Sequence, residues 1–375
     1  MKSILNIAIL FLLAMTLAFC SDKKHNSKTE NTVVTLAENF NNKEIFKTKT
    51  LEYINLETKN ECLLGQVLNL QITEKYIYIL DRNTLFFFNL NGSFNHKLKK
   101  GDGPGELNYP INFSYNKDFN ELYVIDKGNI LHTYDDEGNH IRTQKFERSF
   151  NDLIRLDKNT IAFKSAYPAK YESHLIYLYN IEKDNFDLKS IEIEGNPLKN
   201  FSLLTYNNFT QYDNSAYFFA SNFRDIYKLD GYNFKSIYSL DFGKYTPDES
   251  IAKKQIGVRD YIRFSNEEGF ISFITYNYFL DNIMITGLKH SSFDCGITML
   301  DEGKMILGNI SEFLNLPQTS SFKYPVCIKD NNICFLYNND VLLETNSSEE
   351  NILEIYNTKI EIQENNNPIL IKVLI

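Results

Sequence analysis

Two hydrophobic patterns divide the chain. An apolar run from Ile4 to Phe19 follows Met1-Lys2 and ends at Cys20, where the sequence turns abruptly polar with SDKKHNSKTE. From about Phe46 onward, apolar and polar positions alternate in short runs punctuated by Gly, Asn and Asp, which is the period of half-buried strands. These runs resemble one another. Tyr76 to Gly92 reads YIYILDRNTLFFFNLNG and Leu122 to Gly138 reads LYVIDKGNILHTYDDEG, each a strand ending in Asp, a polar loop, a second strand and a turn closing on Gly. Weaker copies are IAFKSAYPAKYESHLIYLYNIEKD from Ile161, AYFFASNFRDIYKLDGYNF from Ala216, FISFITYNYFLDNIMITGL from Phe270 and ICFLYNNDVLLE from Ile333. Six units over residues 46–375 give about 55 residues each, a little above the roughly 40 to 50 of a propeller blade. The pattern predicts an all-β fold, a six-bladed β-propeller of four-stranded antiparallel blades. The strand near Phe46 to Leu56 is expected to close the ring beside Ile369 to Leu374.

Composition agrees with strands. Tyr (24) and Phe (29) are heavily used and Trp is absent, the usage of pleated, half-buried surfaces. The formal net charge is −9, and the one charge before Cys20 is Lys2, so losing that leader makes it −10. An acidic surface repels nucleic acid backbones. Lys99-Lys100 and Lys253-Lys254 are isolated pairs that read as solvated turns.

Residues 1–19 read as a signal peptide, since the apolar core falls short of the about 20 residues a spanning helix needs. Leu17-Ala18-Phe19-Cys20 resembles the lipobox of bacterial lipoproteins, departing from it at Phe19, where Gly, Ala or Ser is usual. The resemblance implies a lipid on Cys20 and attachment to a bacterial membrane at the cell envelope, on the periplasmic side or the cell surface. Residues 20–45, rich in Asn, Lys, Ser, Thr and Glu, are expected to form a flexible tether.

The Asp-ended strands, the GDGPGEL connection followed by Pro110, the stretch DIYKLDGYNFKSIYSLDFGKY from Asp225 and the closing NPILIKVL from Asn367 resemble the six-bladed β-propeller lipoproteins of Bacteroidota, relatives of NHL-type propellers. The resemblance spans about 320 residues and implies one propeller domain behind a leader and tether.

GDGPGEL raises the question of a phosphate or metal loop. Gly101, Gly103 and Gly105 give G-x-G-x-G, Pro104 donates no hydrogen bond, and strand-like LNYPINFSY follows where a phosphate cradle needs a helix. Asp102 and Glu106 alone are too few oxygens for calcium. The stretch reads as a blade-to-blade connection, with glycines for tight backbone and Pro104 for stiffness. Such connections share one propeller face with the loops between second and third strands, where ligands commonly bind. The expected ligand face comprises Arg82, Asp102, Glu106, Lys127, Tyr167, Lys170, Tyr171, Arg224 and Tyr278. Tyrosines beside Arg and Asp suit glycans or peptide ends.

Other chemistry is sparse. The histidines are scattered without ligand spacing, no G-x-S-x-G elbow or dinucleotide fingerprint occurs, and no cofactor or metal is expected. Asp81 and Asp126 recur at matching positions and read as turn caps. In VCIKDNNICF, a two-residue turn at Asp330-Asn331 would set Cys327 opposite Cys334, leaving a cross-strand disulfide or two small buried thiols open. These features predict a non-catalytic, envelope-anchored propeller that binds a glycan, peptide or envelope protein through its loops. The alternative is a hydrolase or lyase acting on a sugar or lactone, with Asp102 and Glu106 as acid and base if one is desolvated enough to stay protonated.

Overall fold

The computed structural model describes residues 31–37, 45–46, 49–166, 174–192, 207–230, 232–248, 250–251, 256–338, 352–363 and 366–375. The leader, Cys20, and Tyr167, Lys170 and Tyr171 lie outside them.

Two early strands, β1 (Thr32–Leu36) and β2 (Thr50–Asn55), pair with strands made much later. Between them and the end, the chain runs as antiparallel meanders. The first is β3 (Val67–Ile72), β4 (Tyr76–Asp81), β5 (Leu85–Asn89) and β6 (Phe94–Lys97). The second is β7 (Pro110–Asn116), β8 (Glu121–Asp126), β9 (Ile130–Asp135) and β10 (His140–Lys145). The third is β11 (Phe150–Arg155), β12 (Thr160–Ser165), β13 (His174–Asn180) and β14 (Asn185–Glu192). Next come β15 (Phe209–Tyr212), β16 (Ser215–Phe219), β17 (Asp225–Asp230) and β18 (Asn233–Asp241). Helix α1 (Val258–Glu268) leads into β19 (Phe273–Leu280), β20 (Ile283–Lys289), β21 (Cys295–Met299) and β22 (Lys304–Gly308). A short α2 (Ile310–Phe313) precedes β23 (Cys327–Lys329) and β24 (Asn332–Tyr337), the hairpin β25 (Ile352–Ile355) and β26 (Thr358–Glu361), and β27 (Ile369–Leu374).

The first strands of successive meanders, β3, β7, β11, β15, β19 and β23, touch in that order, and β23 touches β3 again. A closed ring of inner strands with sheets radiating outward is a β-propeller. Burial follows the radius. Every position of β4, β11 and β12 is buried, because sheets pack on both their faces. The outer β10 alternates exposed and half-buried positions along most of its length. Aromatic packing joins neighbouring sheets, as where Phe113 of the second meander sits 6.3 Å from Tyr78 of the first. The ring closes through β2, which pairs antiparallel with β27 from Thr50↔Leu374 to Asn55↔Ile369, as the alternating pattern at both ends predicts.

Two expectations are corrected. The tether does not run unbroken to residue 45, because β1 pairs in parallel with β18 and β22 and fuses their meanders into one nine-stranded sheet. Val34, 1% exposed, buries itself there among Phe219, Leu240 and Met305, an apolar contact that holds the segment in place. The copy starting at Phe270 is also out of phase. Its two strands are β19 and β20, the first and second of their meander, joined at Asp281-Asn282. That Asp-containing turn imitates the Asp-ended second strands β4 and β8 of the first two copies.

Among the described residues, no helix is long and apolar enough to cross a membrane.

Candidate functional site

Antiparallel meanders put alternate connections on opposite rims. The β3–β4 and β7–β8 turns lie on one, here the turn rim. The β4–β5 and β8–β9 loops and the β6–β7 connection lie on the other, the connection rim. Between the rims, the inner strands enclose a channel.

A relay of buried amides and one acid ties the inner strands together. Irregular pairing near the start of β3, β7 and β11 marks a bulge in each, beside Asn69, Asn112 and Asp152. Asn69 Nδ2 donates to Asn112 Oδ1 at 2.7 Å, and Asn112 Nδ2 donates to Asp152 Oδ1 at 2.8 Å. Asp152 also accepts the backbone N–H of Leu153 at 2.8 Å, of Phe209 at 3.3 Å, and of Asn208. Lys164 Nζ, buried nearby, donates to Asn151 Oδ1 at 3.0 Å. Burial pushes the Asp152 carboxyl up and the Lys164 ammonium down, while their mutual attraction and the N–H donors to Asp152 oppose the shift.

At the turn rim the channel opens into a cavity of about 570 Å³. Its walls carry both signs of charge: Lys117, Arg155 and Lys329 against Glu74, Asp118 and Asp136, with the amides of Gln71 and Gln211 between. Lys75 binds Asp136 at 3.2 Å and also pairs with Glu137. Its bond to Glu137 comes first in raising the ammonium above its ordinary value. Arg155 is held by Tyr123, whose hydroxyl takes Nη1 at 2.8 Å, and its guanidinium lies 4.7 Å from the Phe119 ring.

The connection rim opens differently. A cavity of about 560 Å³ is lined by Tyr276, Tyr278 and Tyr324 with Asn207, Thr275 and Ser321, and none of its described lining residues is charged. Tyr276 and Tyr278 are two apart on β19, so they share a face, with ring centroids 5.6 Å apart and planes at 27°. The Tyr278 hydroxyl donates to the Val326 carbonyl at 3.1 Å. The Tyr276 hydroxyl is buried with no partner. Its ring is accommodated by Gly287, directly opposite on β20, where an added Cβ would fall 2.3 Å from ring carbons. Desolvation keeps the Tyr276 phenol well above its ordinary range. A further cavity of about 380 Å³ shares Gln71 and Phe209 with the first and Leu70 and Tyr278 with the second.

The residues expected at the ligand face are distributed otherwise. Arg82, Asp102, Glu106, Lys127 and Arg224 lie on connection-rim loops, yet none lines these three cavities. GDGPGEL closes on itself: Gly101 N–H donates to Leu107 O at 3.0 Å, Gly103 N–H to Glu106 Oε2 at 3.0 Å, and Lys127 Nζ meets Asp102 at 2.8 Å. That lysine, then Asn108, holds the exposed Asp102 carboxyl below its ordinary value, so it is not the protonated acid a sugar hydrolase would need. Tyr278 is not on a loop; it sits within β19, the consequence of the phase slip. Asp81 caps its turn, Oδ1 accepting Asn83 and Thr84 N–H at 2.7 and 2.9 Å, whereas Asp126 instead ties down the preceding connection, accepting Tyr109 N–H at 2.5 Å and Asn108 N–H at 3.3 Å. Cys327 and Cys334 are directly opposite in register, and both are free thiols in this structure. Among the described residues, no three His, Cys, Asp or Glu side chains cluster as metal ligands. Tyr276, Tyr324 and Asn207 were missed by sequence reasoning; the trace of the first was Gly287 inside a strand-like run.

Residues 31–373 match the model of a family described as a domain of unknown function (DUF4934). No curated protein matches the chain. Among solved structures, a Bacteroides fragilis protein described as exported aligns at a TM-score of 0.70 with 15% identity, over 92% of this chain and 99% of that one, which shows a shared fold. BamB from Moraxella catarrhalis aligns at 0.43 with 10% identity, over 69% of this chain and 67% of that one. The Pan2 WD40 domain of Neurospora crassa aligns at 0.40 with 10% identity, over 72% of this chain and 71% of that one.

Proposed function

We propose, for a chain that belongs to the DUF4934 family, that it is an exported six-bladed propeller of the NHL-like kind, held on the cell envelope by a lipid on Cys20, and that it binds a segment of a partner protein at the turn rim without catalysis. The cavity of about 570 Å³ carries this reading, because opposite charges alternate with side-chain amides around its walls. Amides match the hydrogen-bonding groups of an extended peptide, and charges of both signs steer and register a chain that carries both. The blade count rests on four separate four-stranded sheets plus the two meanders fused through β1. Export is supported by the shared fold with the Bacteroides protein.

The test is photo-crosslinking in intact cells. With a benzoylphenylalanine in place of Asp118, a protein adduct is expected that Lys117→Glu weakens, and the same probe in place of Arg82 should give none. Adducts only from the Arg82 position, or turnover of a sugar or lactone abolished by a turn-rim substitution, would sink the reading. Incorporation of labelled palmitate that survives Cys20→Ala would remove the lipid anchor from it.

A further inference from the structure

We infer that the connection-rim cavity is a second binding site, for an uncharged saccharide, separate from the turn-rim site. Its described walls contain no Asp, Glu, Lys, Arg or His, so an anion finds no cation there and a cation no carboxylate. What the walls offer is tyrosine rings beside hydroxyl and amide groups. A sugar has the complementary form, with a C–H face that lies on an aromatic ring and hydroxyls that both donate and accept. The cavity, about 560 Å³, falls within the range of small-molecule sites.

The Tyr276 hydroxyl gives the cavity its pointer toward a ligand. Tyr276 is 5% exposed and lines the cavity, yet its hydroxyl has no hydrogen-bond partner, as does the buried Oγ1 of the adjacent Thr275. Buried polar atoms nearly always find partners, and an exception calls for a ligand or a water. Gly287 is shaped to hold that ring where it lies, since any side chain there would displace it. Tyr324, 47% exposed, supplies an aromatic face at the entrance, and Ser321 and Asn207 supply polar groups beside it.

The experiment is titration calorimetry on the full-length chain in a sugar-free detergent, with cellohexaose, maltohexaose, xylohexaose, mannohexaose and chitohexaose as probes and oligogalacturonate as the charged control. At least one neutral oligosaccharide should bind, and oligogalacturonate should bind at least about tenfold more weakly than it. Tyr276→Phe deletes only the unpartnered hydroxyl, so it should leave the melting temperature unchanged or higher while weakening the sugar about tenfold. Tyr324→Ala should weaken it at least as much, and Lys117→Glu on the opposite rim should not. Silence across the neutral panel, equal affinity for oligogalacturonate, or binding indifferent to both tyrosine variants overturns the inference. So does a Tyr276→Phe variant that loses stability without losing sugar, which would mean the hydroxyl serves a structural water. Because the two sites lie on opposite rims, failure of partner crosslinking at Asp118 leaves this outcome independent.

Discussion

The two mouths of the channel share inner strands yet differ in chemistry. Residues of β3 line both openings, Gln71 and Ile72 at the turn rim and Val67 to Leu70 at the connection rim, but charge of both signs surrounds only the turn-rim opening. The difference comes from how each rim is connected. Turn-rim links are short, such as Thr73 to Lys75, and short exposed turns are built of polar and charged residues that overhang the opening. Among the connection-rim links, the one before β23 is long, running from Leu314 to Val326. The segment between α2 and β23 brings Ser321 and Tyr324 inward and covers part of the cavity with its own side chains. A propeller can thus carry two unlike openings on one channel, one ringed by charged turns and one covered in part by a long link whose lining residues are uncharged.

The comparison breaks most severely at the waist. Asp152→Ala removes the acceptor of four hydrogen bonds linking β7, β11 and the start of β15, and leaves Lys164 buried without its counter-charge. A loss of about 3 to 5 kcal/mol is expected in urea denaturation, with both mouths failing together. A variant that loses one binding activity and keeps full stability would show that the waist does not couple them. Gly287→Ala is the next largest and should act on one mouth only. Its methyl would drive the Tyr276 ring aside, costing about 1 to 3 kcal/mol and the neutral site, with the turn-rim partner still bound. Calorimetry with the oligosaccharides beside Asp118 crosslinking reads both halves of that prediction.

Much of this architecture was legible because it is local or repeated. Asp81, ending its strand, caps its own turn, and the copy at Asp126 repeats the same strand–loop–strand spacing, so each copy advertises itself within a short window. The facing of Cys327 and Cys334 follows from the Asp330-Asn331 turn, whose φ values of 49° and 59° suit a two-residue hairpin. What escaped was non-local. TVVTL in a polar neighbourhood carries no sign that it will lie between Tyr238–Asp241 and Lys304-Met305, more than two hundred residues later. The Asp281-Asn282 turn, joining a first strand to a second, carries the same local signal as the Asp-ended second strands, which shifted Tyr278 from strand to loop. The neutral mouth was hidden for a related reason. Its walls come from β19, the start of β3 and the link before β23, segments far apart in the chain, with β3 brought to the others only by ring closure.

Smaller effects separate charge from fold. Lys117→Glu should move stability by no more than about 0.5 kcal/mol, since it lies at an exposed turn. It should slow partner association and alter its salt dependence, leaving the neutral mouth untouched. Stopped-flow association at two ionic strengths distinguishes this from a general loss of folded protein, which would lower the amplitude and not the rate.

The smallest effect concerns protons and again compares the rims. Among the described residues, no histidine lines any of the three channel cavities. Two lie in the sheets: buried His132, whose Nδ1 lies 2.9 Å from Thr143 Oγ1, and half-buried His96, stacked 4.0 Å from Phe87. Burial holds both imidazoles below their ordinary value. Between that lowered value and the about 6.5 of an unfolded histidine, the unfolded chain holds protons that the folded chain does not. Their stability contribution is therefore complete above about pH 6.5 and is lost as pH falls through the folded-state value. Denaturation midpoints should fall on acidification more steeply in the wild type than in a His96→Phe, His132→Phe variant. Affinity at each mouth, measured where the protein stays folded, should remain level over the same range. A pH-dependent affinity at one mouth alone, removed by those substitutions, would mean that the sheets transmit protonation to the channel and that the two mouths are not independent.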